Sequence, residues 1–232
     1  LREKGWQVLI SPYYTDNITD KSREIDIIAE KKYDIQNSYK NRDNPKKFIC
    51  VRLFIECKHI EEDINVAFWF DNRDEKQALE RIQRDTSLEL TQDDKHHYLK
   101  NIKVAKLFEQ FSKKKDIFYD AINQSLHAMI YYRDCNTVFL EDSDNNSEND
   151  NGSDREMLIP YPIILCNSFK TLYKAEDGSN ITDDYFELEM HYAYKKQDKS
   201  ENEYFLIDVV NYDNFANFWK EVEKDDISSI KS

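Results

Sequence analysis

The sequence predicts an α/β fold: a mixed sheet covered by helices. Three observations carry this. Apolar residues alternate along several short segments, as strands with buried faces require. Other segments repeat their apolar residues at helical spacing. The segments also run in the order helix, three strands, helices, then strands and a helix, which suits a sheet with helices packed on it. The chain has 232 residues, 40% hydrophobic and 34% charged, with 3 Gly and 4 Pro, so it reads as one domain spanning 1–232.

"LREKGW" opens as a helix C-terminus stopped at Gly5, where a left-handed residue is easily placed. "QVLISPYY" (7–14) is a strand, and "REIDIIAEKKY" (23–33) is a second, with Ile25, Ile27 and Ala29 on one face. A polar connection leads to a third strand, "FICVRLFIECKHI" (48–60). A helical insertion is expected over about 74–134. Its first helix (74–85) turns Ala78, Leu79 and Ile82 inward. A longer helical stretch, 97–134, repeats Leu99, Ile102, Ala105, Phe108 and Phe111, then Ile117, Ala121 and Met129, with a break near 113–116. The run 141–156 holds seven acids against one Arg and reads as a mobile acidic loop. Strands follow at 157–169, 185–196 and 204–213, and a closing helix points Phe215, Phe218, Trp219 and Val222 inward.

The net charge of −13 excludes a generic basic nucleic-acid coat but leaves room for an enzyme with a local binding patch. Cys50, Cys57, Cys135 and Cys166 form no CxxC pair. They are expected to be reduced and buried, which favours a cytoplasmic protein. No window approaches the roughly 18 apolar residues of a membrane helix, no signal peptide is evident, and no G-x-x-x-x-G-K-[ST] occurs. The chain lacks an initiator Met, so residues upstream of Leu1 are expected.

The chemistry concentrates in the third strand. Alternation sets Glu56 and Lys58 on one face, with Cys57 pointing away. If strands 23–33 and 48–60 pair as an antiparallel hairpin, one register puts Asp26 opposite Glu56 and Asp34 opposite Phe48. That register keeps Ile25, Ile27 and Ala29 with Leu53, Ile55 and Cys57, whereas a one-residue slip mixes the faces. Asp26, Glu56 and Lys58 then share one spot. Two neighbouring carboxylates repel unless a cation lies between them, and oxygen ligands suit Mg²⁺ or Mn²⁺. The Cys57 carbonyl offers a third ligand. A lysine beside such a metal can position or deprotonate water, or neutralise charge on a phosphate in transition. The simpler alternative is a solvated strand face with a weak ion pair.

Asp26 followed by Glu56-x-Lys58, in a helix–strand–strand–strand frame, resembles the PD-(D/E)xK nucleases of the restriction-endonuclease-like superfamily. Residues 1–60 carry the resemblance, which extends weakly to the helix around Gln124 and the strand at 163–166. It implies a mixed sheet flanked by helices and Mg²⁺-dependent cleavage of DNA. Asp26 and Glu56 would be metal ligands and Lys58 the catalytic lysine. The Pro of the motif is replaced by Ile25, and a first-helix acidic residue is not identified. Some relatives carry Gln and Tyr four apart on a later helix; only Gln124 carries over, since Ala128 stands at the second position. A member with a non-catalytic binding or assembly role, in a defence or repair complex, is the alternative. With so acidic a chain, nucleic acid would be held by a local groove, a partner domain or a homodimer.

Other signals admit two readings. In the hairpin register Glu24 falls opposite Lys58, to pair with it or to stay exposed. The segment 95–115 has seven Lys and one Glu. Lys100, Lys103 and Lys106 are expected along one helix face, as a phosphate-binding surface or a solvated face. His96 and His97 read as exposed rather than metal-binding, and His59 as core packing. Trp69, Phe68 and Phe70 could stack on bases but fit a core or interface better.

Overall fold

The computed structural model describes residues 1–16, 19–35, 47–86, 96–111, 116–134, 156–196 and 199–227. Among the described residues nine strands form one mixed sheet with helices on both faces. In chain order its strands are β1 (Gln7–Ile10), β4 (Ile27–Ile35), β5 (Lys47–Lys58), β6 (Asn65–Asn72), β7 (Lys103–Phe111), β8 (Glu156–Cys166), β9 (Leu172–Lys174), β10 (Tyr185–Lys196) and β11 (Lys199–Asn211). The spatial order is β1-β4-β5-β8-β11-β10-β7-β6-β9. Two short strands, β2 (Tyr13–Thr15) and β3 (Ser22–Glu24), form a separate ribbon. The helices are α1 (Glu75–Thr86), α2 (His97–Lys100), α3 (Ile117–Asp134) and α4 (Phe215–Val222).

Alternation sorts the core into two layers. Ile28, Phe54, Ile164 and Phe205 pack beneath α3, with Phe118, Ile122, Leu126 and Met129. Ala29, Leu53, Ile55, Ile163 and Leu206 face the other way, against Ala78 and Ile82 of α1, Tyr98 of α2, and Phe218 and Trp219 of α4. Asp74 caps α1, accepting from the Gln77 amide at 3.1 Å, and Asp116 caps α3, accepting from the Tyr119 amide at 3.0 Å. Gly5 ends a single 3-10 turn, Arg2–Lys4, at φ 79°, and passes the chain to Trp6, which packs edge-on against Trp219 at 5.0 Å.

The hairpin register agrees with the sequence reading: Ile27 pairs with Ile55, Ala29 with Leu53 and Asp34 with Phe48. From there the chain makes a three-strand antiparallel frame, β1-β4-β5. It crosses back through α3 to β8, which lies parallel to β5.

Four expectations are corrected. The first two strands each break at the same level. Ser11 adopts φ 53°, its amide donates to the Asp26 carbonyl at 2.8 Å, and the Ile25 amide donates to the Pro12 carbonyl at 3.2 Å. This break turns Ile25 into the α3-side core with Ile28, away from Ile27 and Ala29. The expected helical insertion contains a strand: residues 103–111 form β7, paired with β6 and β10. Apolar residues every three positions slip about 60° per step around a helix of 3.6 residues per turn, so they mark no single face. Ile102 and Phe111, counted in that helical repeat, are 74% and 56% exposed. Cys57 is exposed, while Cys50 and Cys166 are buried. His59 is exposed rather than packed in the core. The acidic run 141–156, apart from the first residue of β8, and Cys135 lie outside the described residues.

Candidate active site

β5 delivers Glu56 and Lys58 at its C-terminal end, on the α3 side of the sheet with Phe54. Asp26 sits just before β4, at the break in the strand. The two backbones exchange hydrogen bonds with the two carboxylates. The Cys57 amide donates to Asp26 Oδ2 at 2.7 Å, and the Asp26 amide donates to Glu56 Oε2 at 3.4 Å. Lys58 Nζ donates to Glu56 Oε1 at 2.6 Å and to Gln124 Oε1 of α3 at 3.2 Å. The other end of the Gln124 amide donates to the Glu24 carbonyl at 3.4 Å. The structure therefore brings Asp26, Glu56, Lys58 and Gln124 together, with the Cys57 backbone joined through its amide.

The site is graded in exposure. Glu56 is buried, Asp26 and Gln124 are half-buried, and the Lys58 side chain is 19% exposed. Burial pushes the Glu56 carboxyl up to about 7. Lys58 works against that rise, and the charge of Asp26 adds to it. A carboxylate with one cation, a second carboxylate beside it and few fixed partners suits a hard divalent cation. Such an ion would relieve both the repulsion and the desolvation.

Glu24 does not continue the hairpin. It lies in β3 opposite Tyr13, and Lys58 turns to Glu56 and Gln124 instead. The expected lysine face also dissolves, because α2 stops at Lys100 and the chain turns into β7. Lys100 lies between Glu221 and Asp225 at 3.3 and 3.2 Å, Lys106 pairs with Glu189, and Lys103 is exposed at the start of β7. No shared helix face joins the three. Phe68 is core, ringed by Phe108, Phe118 and Phe186, and Trp69 is 38% exposed opposite Leu107.

His96 and His97, expected at the surface, are buried. With Asp226 they are the group of metal-ligating side chains found among the described residues, their ligand atoms within 4.8 Å of one another. Those atoms are spent on each other. His97 reaches Asp226 through Nδ1 at 2.5 Å and Asp208 through Nε2 at 3.3 Å. Tyr161 and Tyr98 donate to the same two carboxylates at 2.9 and 2.8 Å. Burial would lower the His97 pKa, but Asp226 and Asp208 outweigh it and hold the imidazolium to about 10. Burial takes His96 down to about 4. This is a buried ion pair under α4, and it is no indication of Mg²⁺.

Beside Gln124 a cleft of about 320 Å³ opens between the β2–β3 ribbon and α3. The sequence reading did not find it, because its walls come from segments about a hundred residues apart. Among the described residues no helix is long and apolar enough to cross a membrane. The chain matches no family model, no curated protein and no solved structure.

Proposed function

We propose that the protein is a metal-dependent nuclease that hydrolyses phosphodiester bonds, in DNA before RNA, with the PD-(D/E)xK nucleases as its relatives. One observation carries the reading: Lys58 Nζ is held between Glu56 and Gln124, next to the Asp26–Glu56 pair at the break between two strands. The three-strand frame, the α3 crossover and the parallel β8 agree with the order of elements that the resemblance implies.

Asp26 and Glu56 would hold Mg²⁺ or Mn²⁺, with the Cys57 carbonyl as a third ligand. The bound ion would supply Lewis acidity toward the phosphoryl group and a more acidic water. Glu56 and Gln124 fix the lysine in direction, so that its ammonium meets the charge that builds on the phosphate as the bond breaks. Gln124, tied to the Glu24 carbonyl, positions Lys58 and does not react. The half-exposed Asp26 leaves an approach for the phosphate from the solvent side.

The test is a cleavage assay on linear, circular and branched DNA and on single-stranded RNA. It compares Mg²⁺, Mn²⁺ and EDTA, with Asp26→Ala and Lys58→Ala alongside. Metal-dependent cleavage lost in both variants is the expected result. Failure of the folded protein to cut any of these, while it still binds nucleic acid or a partner, replaces the reading with a non-catalytic binding or assembly subunit. A cytoplasmic location and a homodimer that completes the binding groove belong to the same proposal.

A further inference from the structure

The cleft beside the site has the features of a nucleotide pocket. At about 320 Å³ it lies at the small end of ligand pockets, ~300–1,000 Å³, a size suited to one small group rather than a duplex. It is continuous with the site through Gln124, which lines it and also accepts from Lys58. Tyr14, also on its lining, feels both centres: burial, Asp16 and Glu56 together hold its phenol protonated.

The α3 wall presents Tyr119, Asn123 and His127, one helical turn apart each. Tyr119 is 59% exposed, an aromatic face in solvent at the rim. Asn123, on the cleft lining, accepts at Oδ1 from the Tyr192 hydroxyl at 2.5 Å, so its amide is fixed in place and its Nδ2 hydrogens remain as donors. His127 is buried behind it, between Tyr192 at 2.5 Å and Asp16 at 3.4 Å. Across the cleft Asp16 accepts from Arg23 Nε at 3.3 Å. That bond orients a guanidinium whose side chain is 49% exposed and leaves its terminal nitrogens for an anion. A flat exposed ring, a fixed amide donor and an oriented guanidinium, all next to a phosphodiester-cleaving centre, match a base, its edge and its phosphate.

We propose that this cleft receives one unstacked nucleotide of the substrate, its base against Tyr119 and Asn123 and its phosphate toward Arg23. The substrate is then nucleic acid with an unpaired nucleotide next to the cut: a single strand, a flap or a flipped base. The proposal rests on the nuclease reading for its substrate, but it is testable without cleavage. A base that stays stacked in a duplex cannot enter a pocket of this size.

The experiment measures binding of fluorescent homopolymeric single-stranded oligonucleotides, and of a fully paired duplex, by anisotropy in EDTA. It uses the intact chain, Tyr119→Ala, Asn123→Ala and Asp26→Ala, with circular dichroism to confirm folding. Single strands should bind more tightly than the duplex. Tyr119→Ala and Asn123→Ala should each weaken them by about tenfold, the scale of one lost base contact, and leave duplex binding unchanged. Asp26→Ala should still bind. Single-strand binding that is absent, or unaffected by both pocket variants, overturns the proposal; Tyr119→Ala, on the surface, keeps this decisive even if Asn123→Ala unfolds. Binding that depends on the pocket in a protein that cuts nothing sinks the nuclease reading and leaves the cleft. Cleavage with pocket-independent binding does the reverse.

Discussion

Glu203 on β11 and Glu56 on β5 are both buried, 7% and 2% exposed, yet their surroundings treat them in opposite ways. Glu203 is met by Arg81, Arg84 and Arg133 at 2.7, 2.8 and 2.9 Å, and by the Tyr194 hydroxyl at 2.6 Å. Burial would raise its pKa, but Arg133, Arg81 and Tyr194 outweigh that and hold it at about 2. Glu56 has one lysine and a second carboxylate, and rises to about 7. The His97–Asp226 pair belongs with Glu203: the Asp226 carboxylate accepts from the His97 amide at 2.7 Å and the Tyr161 hydroxyl at 2.9 Å, and meets the His97 ring at 2.5 Å. Where compensation is complete, the buried charge holds elements together. Where it falls short, beside an open cleft, the carboxyl is held well above its ordinary pKa, as groups at functional sites often are.

Four measurements separate the two kinds of buried charge. Asp26→Ala should lower cleavage by about 10³-fold or more, on the scale of losing a principal electrostatic contact in a transition state. Its melting temperature should barely change, and a large fall would move Asp26 into the structural class. His97→Ala should act in the opposite sense. It strands Asp226 and Asp208, costs about 4 kcal/mol in urea unfolding, and affects cleavage only through the folded fraction. The pH dependence follows, because the folded pKa of His97 is raised from 6.5 to about 10. Its contribution is fully present below about 6.5 and is lost as pH rises through about 10.

Glu203→Gln should cost about 3 kcal/mol, because three arginines lose their common partner. Its folded pKa lies below the ordinary 4.5, so the wild type has this stability above about 4.5 and loses it as pH falls toward about 2. The gap between wild type and variant, measured by denaturation at several pH values, should therefore close in acid. A gap that stays constant would place the effect in packing. Glu56→Gln should change stability least, being neutral or stabilising by about 1 kcal/mol in EDTA. Mg²⁺ should raise the melting temperature of the wild type and not of this variant. Equal shifts in both would remove Glu56 from the metal site.

The central site was legible because it rests on alternation. In a hairpin, one register alone kept Ile27 and Ala29 with Leu53 and Ile55, and that register carried Asp26 to Glu56. Gln124 came only through a family resemblance, since nothing in its own helix announces that it reaches Lys58. Ile25 was assigned to the wrong face because the kink at Ser11 and Asp26 is a matter of backbone hydrogen bonds between two strands. β7 was misread because its apolar spacing imitates a helix only loosely, and pairing with β6 and β10 decided the matter. The burial of His96 and His97 was not readable locally: their partner Asp226 lies 129 residues beyond His97.

The separations within the site also set an order in time. Asp26 and Glu56 are 30 residues apart in one hairpin, whereas Lys58 and Gln124 are 66 apart, on opposite sides of a long crossover. Short loops close at a smaller entropic cost than long ones, and local pairings form sooner than distant ones. The pair of carboxylates can therefore be assembled by the β4–β5 hairpin while the lysine has only Glu56 to hold it. Its ammonium is aimed only when α3 docks and β8 closes alongside β5. On the nuclease reading, a refolding chain would acquire its proposed cation site first and the aim of its lysine last.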